Sequence, residues 1–447
     1  MAYTIAQIVG QFKADVAKTL LPATIEEVCL SIGHCWRDRV LTPVVTLHAF
    51  LLQVLHGNMA CSGVSRLIGT TFSAAAYCDA RMRLPVELFE QLLQRIGQAL
   101  SETLQDGRWH GHRTWIMDGS SFSMPDTPAL QKHFGQPGAQ AIGCGFPVAH
   151  MLCLFHAGLG FLQRVIAAPL RTHDMAQAAT LHPEMAAGDL LLGDRGLASF
   201  VHLALLVQGK LHAVFRGHQN QIVNFRSGRK HTKQRQPQKG LPRSRWLRRL
   251  GHWDQLVEYS KPKNRPEWLS VEAYAALPET LVVRELRYVV AQKGRRTKVI
   301  TLVTTLLDPK AYPAGELADL YERRWQAEVN LRHLKTTMGM EVLRCQTVAG
   351  ITKELYVFAL VYNLVRLVML EAAKRQQVPV ERISFVDALR WLQSAQPGTP
   401  LTALLVNPER RHRFEPRVRK RRPKPHPLMT KPRAQLRKAL ERNRHAA

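Results

Sequence analysis

Acidic residues are scarce in this chain. Only 34 Asp and Glu stand against 62 Lys and Arg in 447 residues, for a formal charge of +28. Self-repulsion on that scale is tolerated most readily when the partner is a polyanion, and nucleic acid is the usual one. The seven cysteines (29, 35, 61, 78, 144, 153 and 345) include no C-x-x-C pair and no paired His-Cys spacing. That excludes structural zinc and a disulfide framework and leaves buried free thiols as the expectation. There is no Walker loop, no G-x-G-x-x-G and no H-E-x-x-H, which excludes nucleotide-driven, dinucleotide and zinc-hydrolase chemistry. Residues 1–19 lack the charged start and apolar core of a signal peptide. The most apolar long stretch, 355–370, is broken by Asn363 and Arg366 and is too short to span a bilayer. No basic amphipathic helix with a bulky aromatic face stands out, so no membrane partner is expected, and the chain reads as cytoplasmic.

Residues 1–105 are expected to form a helical, DNA-binding N-terminal domain, with periodic apolar runs at 5–20, 25–32, 44–55 and 88–100. Between the last two, residues 61–84 read as a short helix, a turn at Gly69-Thr70-Thr71 and a second helix from Ser73. This is either a helix-turn-helix with Arg81 and Arg83 toward its end or an ordinary helical hairpin. From Thr114 the period changes. Strands are expected at 114–117, 148–155, 161–167, 190–192 and 212–215, with helices at 175–181 and 200–207. Three strands followed by helix-strand alternation describe an α/β layer with a mixed sheet over 106–216.

Residues 217–313 interrupt that layer as a β-rich insertion. Its segment 226–249 carries ten Lys or Arg and no acid, and reads as a mobile, solvated loop. A hairpin of strands at 281–290 and 298–305 follows. Helices return at 315–338 and 354–374, within a second core segment at 314–400. From 409 to 447 there are fifteen Lys or Arg against three acids, with five prolines, so 401–447 is expected to be a disordered basic tail. The loop and the tail contribute +10 and +12 of the formal charge, and such arms raise non-specific DNA affinity in a salt-dependent way.

Tyr321, Arg324, Glu328 and Lys335 stand three, four and seven residues apart, which on a continuous helix brings them onto one strip. Leu320, Ala327, Leu331, Leu334 and Met338 form an apolar stripe beside it, so the polar strip should lie at the edge of the buried face. A carboxylate there can ligate a hard divalent metal, while the cations and phenol can hold phosphate oxygens. Exposed helices also carry such residues at these spacings. Asp118 and Asp194 each come directly off a short apolar run and precede or follow a glycine, as a metal ligand or a turn-capping aspartate would. Asp126, Asp174, Asp189, Asp308, Asp319, Glu322 and Glu341 are not expected at the site, and His150 and His156 read as core or edge histidines.

Taken together, Asp118, Asp194 and Glu328, with Tyr-x₂-Arg-x₃-Glu-x₆-Lys around the last, resemble the Asp-Asp-Glu transposases of bacterial insertion sequences. The resemblance is closest to the insertion sequence 4 family, which that signature defines. Asp118-Gly119-Ser120-Ser121-Phe122, Gly193-Asp194-Arg195-Gly196 and Leu331-Arg332-His333-Leu334-Lys335 also match, over about residues 75–370. The resemblance implies an RNase H-like core, with Asp118 on its first strand, Asp194 after its fourth and Glu328 on a later helix. It implies three carboxylates holding two Mg²⁺ ions, for which Mn²⁺ would substitute, and in-line displacement at phosphorus. Tyr321, Arg324, Lys335 and Arg332 would contact DNA, and Trp325 could stack on a flipped base. The implied partners are double-stranded DNA, as transposon ends and target, and a second copy in a synaptic homodimer at the bacterial nucleoid. A decayed or domesticated copy that only binds DNA, and a generic nuclease of the same fold, are the competing readings.

Overall fold

The computed structural model describes residues 18–102, 108–170, 172, 174–232, 241–290, 299–401, 404 and 429–445. Among the described residues five helices come first: α1 (Pro22–Ser31), α2 (Pro43–Leu55), α3 (Cys61–Ile68), α4 (Ala74–Arg83) and α5 (Val86–Glu102). Local chemistry sets their ends. The Thr42 side chain accepts from the Val45 N–H and Pro43 opens α2, while Ser73 accepts from the Ala76 N–H to start α4. Gly69, at φ +64°, ends α3 in the left-handed conformation. Of the expected helix at 5–20, residues 1–17 lie outside the described residues.

The α3–α4 pair has the length and turn expected, but Arg81 is no reading residue. Its guanidinium lies 3.7 Å over the Phe50 ring and donates to Gln53 Oε1 at 3.1 Å. Its other arm reaches Cys345 Sγ at 2.8 Å, so the side chain is held between the helical unit and the later segment, as in a structural hairpin.

One sheet of nine strands follows, in the order β3-β2-β1-β4-β5-β9-β8-β7-β6. Its strands are β1 (Thr114–Ser123), β2 (Val148–His156), β3 (Leu162–Pro169), β4 (Leu190–Gly193), β5 (His212–Arg216), β6 (Arg243–Gly251), β7 (Asp254–Ser260), β8 (Thr280–Val289) and β9 (Val299–Thr304). Between them lie α6 (Pro128–Phe134), α7 (Asp174–Thr180), α8 (Phe200–Gln208) and α9 (Val271–Ala275). β1 pairs antiparallel with β2 and parallel with β4, which pairs parallel with β5. That five-strand portion is an RNase H-like mixed sheet.

Strand β1 is longer than the apolar run alone predicts. It continues through Asp118 to Ser123 because all of that polar half pairs with β2. The inserted strands extend the core sheet: β9 pairs with β5 through Val214↔Thr304 and Arg216↔Leu302. The expected hairpin is present as β8–β9, with residues 291–298 outside the described part. The basic stretch 226–249 is not all loop. Its end is β6, paired antiparallel to β7, where Arg245 meets Glu258 across the strands at 2.9 Å. Residues 233–240 lie outside the described part.

Helices α10 (Ala314–Glu322) and α11 (Trp325–Arg332) replace the single expected helix, and one π-helical turn, His333–Thr337, follows α11. The 29-residue α12 (Val348–Gln376) is longer than the apolar run suggested and is apolar and long enough to cross a membrane. Its most apolar window is 89% buried inside the protein, so it is the core helix. Its polar interruptions have structural work. Asn363 Oδ1 accepts from the Leu162 N–H and its Nδ2 donates to the Leu162 carbonyl, each at 2.8 Å. Arg366 donates to the Leu159 carbonyl and packs so closely on Gly160 (φ +67°) that any side chain there would collide with the guanidinium. Helix α13 (Phe385–Ser394) packs on α12.

The tail also departs from expectation. Residues 405–428 lie outside the described part, but Arg433–His445 form helix α14. Arg433 anchors it, pairing with Asp126 at 3.3 Å, donating to the Gly145 carbonyl at 2.9 Å and stacking on Phe146. Likewise, the cysteines are not uniformly buried: Cys35 and Cys78 are exposed, and Cys61 and Cys345 half-buried.

Asn363→Ala strips a buried backbone N–H and carbonyl of their partners. It should lower stability by about 2–4 kcal/mol, read as a shift of the urea midpoint at unchanged slope.

Candidate active site

The sheet register builds the site. In the parallel β1–β4 pair, Met117 stands opposite Gly193, so Asp118, next on β1, and Asp194, the first residue after β4, come to the same end of the sheet and line one cleft. Behind them, Trp115, Ile116 and Met117 on β1 and Leu190, Leu191 and Leu192 on β4 are fully buried and fix the register. Gly193 leaves room that a side chain would take from Leu197 and Phe215.

Helix α11 brings the third acid. Arg324, in the turn between α10 and α11, donates to Glu328 Oε1 at 2.9 Å and reaches Asp118 Oδ2 at 3.4 Å. One guanidinium therefore spans two of the three acids, and Asp194 also adds to its field. Asp118, Asp194 and Glu328 line one cleft of about 400 Å³ with Gly119, Ser120, Arg332, Lys335 and Glu341. Burial pushes the Asp118 carboxyl up to about 6, against the pull of Arg324 and the Gly119 N–H, with Glu328 and Asp194 adding repulsion.

As the side chains stand, no three His, Cys, Asp or Glu among the described residues close on a metal position. Arg324 explains this, since it occupies the space between Asp118 and Glu328. The donor set still suits a hard divalent cation: carboxylate oxygens only, mutually repelling, with one arginine offsetting them. The residues fit such an ion.

The other sequence-predicted residues divide. Lys335 lies on the π-helical turn rather than on a continuous strip, yet it reaches the cleft and donates to Ser120 Oγ at 3.0 Å. Arg332 lines the same wall. Tyr321 is only 5% exposed, too deep to grip a ligand in this arrangement. Its hydroxyl is buried without a hydrogen-bond partner among the described residues, and burial raises its pKa. Trp325 is 57% exposed and lies outside the cleft lining.

Glu341, set aside on sequence, stands on the cleft rim and accepts from Thr336 Oγ1 at 3.1 Å. No sequence signal marks it, because a bridge between Ser123 and Val342 carries it there. Ser120 could have been found in the word Asp118-Gly119-Ser120. Of the other acids, Asp189 is a buried partner of Arg113 and of Trp115 Nε1, Asp126 holds Arg433, and Asp308 accepts from the Lys310 N–H. Asp319 is exposed, and the Asp174 side chain lies outside the described part. His156 is buried, as expected, and its Nδ1 accepts from the Leu159 N–H. His150 is half-buried on β2.

A family described as "Transposase DDE domain" matches residues 109–364, more than half of the chain. Transposase InsG for insertion sequence element IS4, from Escherichia coli (strain K12), is 27% identical over 383 residues, covering 80% of this chain and 78% of that relative. Among solved structures, a piggyBac transposase synaptic complex with hairpin DNA is similar at a TM-score of 0.43 and 10% identity. That match covers 85% of this chain and 78% of the other.

The raised Asp118 value has a definite sign. The folded protein holds this proton more tightly than the unfolded chain does. The group's stabilising contribution is therefore complete below its ordinary value near 4 and is lost as pH rises through about 6. In EDTA, Asp118→Asn should gain stability relative to the parent between pH 5 and 7.5, by about 2 kcal/mol at most. Thermal denaturation across that range checks it, and a gap that shrinks with pH would contradict the assigned environment.

Proposed function

The chain belongs to the transposase DDE domain family, and from that footing we propose that Asp118, Asp194 and Glu328 are its catalytic carboxylates. The reaction is cleavage of DNA at the terminal inverted repeats of an insertion sequence and joining of the freed ends to a target. The observation that carries this reading is the β1–β4 register, which brings two aspartates to the same end of the sheet, in one cleft with Glu328.

The three carboxylates would hold two Mg²⁺ ions. When bound, such ions supply Lewis acidity to the attacking and leaving oxygens of an in-line displacement. The protein's own groups do the rest. Arg324 neutralises Asp118 and Glu328 in the metal-free state; once cations take that task, its guanidinium is free for a phosphate oxygen. Lys335 and Arg332 offer positive charge along the cleft wall, and Ser120 holds the Lys335 ammonium in place. Tyr321 serves from below, packed near Arg324, rather than by contacting DNA. Trp325, exposed one turn before Glu328, is available to stack on an unpaired base.

As domains, we propose a DNA-binding helical unit at 1–105, a core at 106–216 and 314–400, the insertion at 217–313, and the basic tail at 401–447. Two ends must be held together, so a homodimer on paired DNA ends is the working assembly.

Two outcomes test the assignment. Asp118→Asn, Asp194→Asn and Glu328→Gln should each cut Mg²⁺-dependent cleavage of terminal-repeat DNA on the order of a hundredfold or more, while DNA affinity stays within a few-fold. Undiminished cleavage by any one of them removes that residue from the mechanism. Arg324→Ala should bind Mn²⁺ more tightly without DNA, measured calorimetrically, yet join ends poorly. Weaker Mn²⁺ binding would contradict a guanidinium that competes for the cation position.

A further inference from the structure

Three of the thiols gather where the N-terminal helices meet the catalytic half. Cys61 opens α3 and Cys78 lies in mid-α4, and the hairpin brings their sulfurs to 3.5 Å. Cys61 Sγ is the acceptor of three donors at once: the Cys78 thiol, Arg81 Nη1 at 3.5 Å and Gln53 Nε2 at 3.8 Å. Cys61 thus has a second thiol and a permanent cation within reach of its sulfur, so an attacking sulfur and a partner thiol already stand together. Cys78 is the complementary member. Burial and its bond to Cys61 raise its pKa. Both line a cavity of about 390 Å³, and Cys78 is exposed, so a small oxidant has access. The third thiol, Cys345, sits against Arg81 Nη2 at 2.8 Å, on the other arm of the guanidinium from Cys61.

We propose that Cys61 is a peroxide-reactive thiol and Cys78 its resolving partner, closing a reversible disulfide between α3 and α4. The Cys61 sulfur attacks one peroxide oxygen, the O–O bond breaks, and the leaving hydroxide takes the Cys61 proton as water. Sulfur loses two electrons to the peroxide and becomes a sulfenic acid. The Cys78 sulfur then attacks it, the S–O bond breaks, and the departing hydroxide takes the Cys78 proton as water. Two thiols and one peroxide give one disulfide and two waters. The bond ties the hairpin and withdraws the Cys61 sulfur from Arg81, whose other arm holds Cys345 on the segment leaving the active-site helices.

The test uses the reduced full-length chain. At neutral pH, alkylation of Cys61 should outpace that of exposed Cys35 about tenfold, and Arg81→Lys should narrow the difference. Stoichiometric hydrogen peroxide should remove two hydrogens and yield a linked Cys61–Cys78 peptide by mass spectrometry, in the parent and in Cys345→Ser, reversed by dithiothreitol. Cys78→Ser should instead accumulate a dimedone adduct on Cys61. Equal alkylation of Cys61 and Cys35, absence of any Cys61 oxidation, or a Cys61–Cys345 link would each overturn the proposal. Circular dichroism of each variant before oxidation separates misfolding from lost chemistry.

Discussion

Charge repulsion among half-buried carboxylates is the constraint around which this molecule is arranged. Two aspartates leave adjacent parallel strands, and a glutamate faces them from a helix. Three anions in a partly desolvated cleft oppose folding unless cations sit among them. Arg324 meets that need from within the chain, bridging Asp118 and Glu328. Its position in a helix break gives it that reach, because the turn between α10 and α11 frees it from a fixed helical face. The same guanidinium thus links stability of the metal-free site to readiness for a divalent ion. A cation that filled the site would replace an interaction already favourable and leave a positive group in the cleft.

A second set of buried polar contacts fixes the parts of the chain to one another. Glu354, on α12, is fully buried and accepts from Asn58 Nδ2 at 2.6 Å and from the backbone N–H groups of Arg344 and Cys345. That one carboxylate joins the loop after α2, the segment leaving the active-site helices and the core helix. Lys353 adds a bond to the Met82 carbonyl at the end of α4. Asn363 and Arg366 secure the β2–β3 turn on the other flank of the same helix. Buried polar groups of this kind are costly if unpaired, so they specify one arrangement of helical unit, sheet and catalytic helices. The insertion follows the same logic, with Arg284 paired to Asp254 and Glu285 accepting from Tyr259 and Gln255. Having joined the core sheet edge to edge, it positions its basic β6 rather than trailing it.

Much of the plan was legible in the amino-acid order. Periodicity marked the helices between residues 22 and 102, and short apolar runs marked β4 and β5, because burial of one face or of a whole strand leaves a local pattern. Asp118 and Asp194 stood out because each follows a short apolar run beside a glycine, and the Tyr-Arg-Glu-Lys spacing pointed to the helical region that carries Glu328 into the same cleft. The sequence alone thus determined the α/β class, the family and the acids worth testing.

Other features arise only between residues far apart, and local pattern is blind to them. Pairing with β2 carried β1 through its polar half. The break after α10 and the π-helical turn moved Lys335 off an ideal strip and buried Tyr321. A bridge from Ser123 to Val342 brought Glu341 to the rim, and Asp126 captured Arg433 across the fold to seat part of a tail whose composition reads as unstructured. The Cys61–Cys78 pair, seventeen positions apart, matches no spacing rule. In each case tertiary structure decided, since burial and hydrogen-bond satisfaction are settled by which surfaces meet, and one-dimensional order records only which surfaces are available.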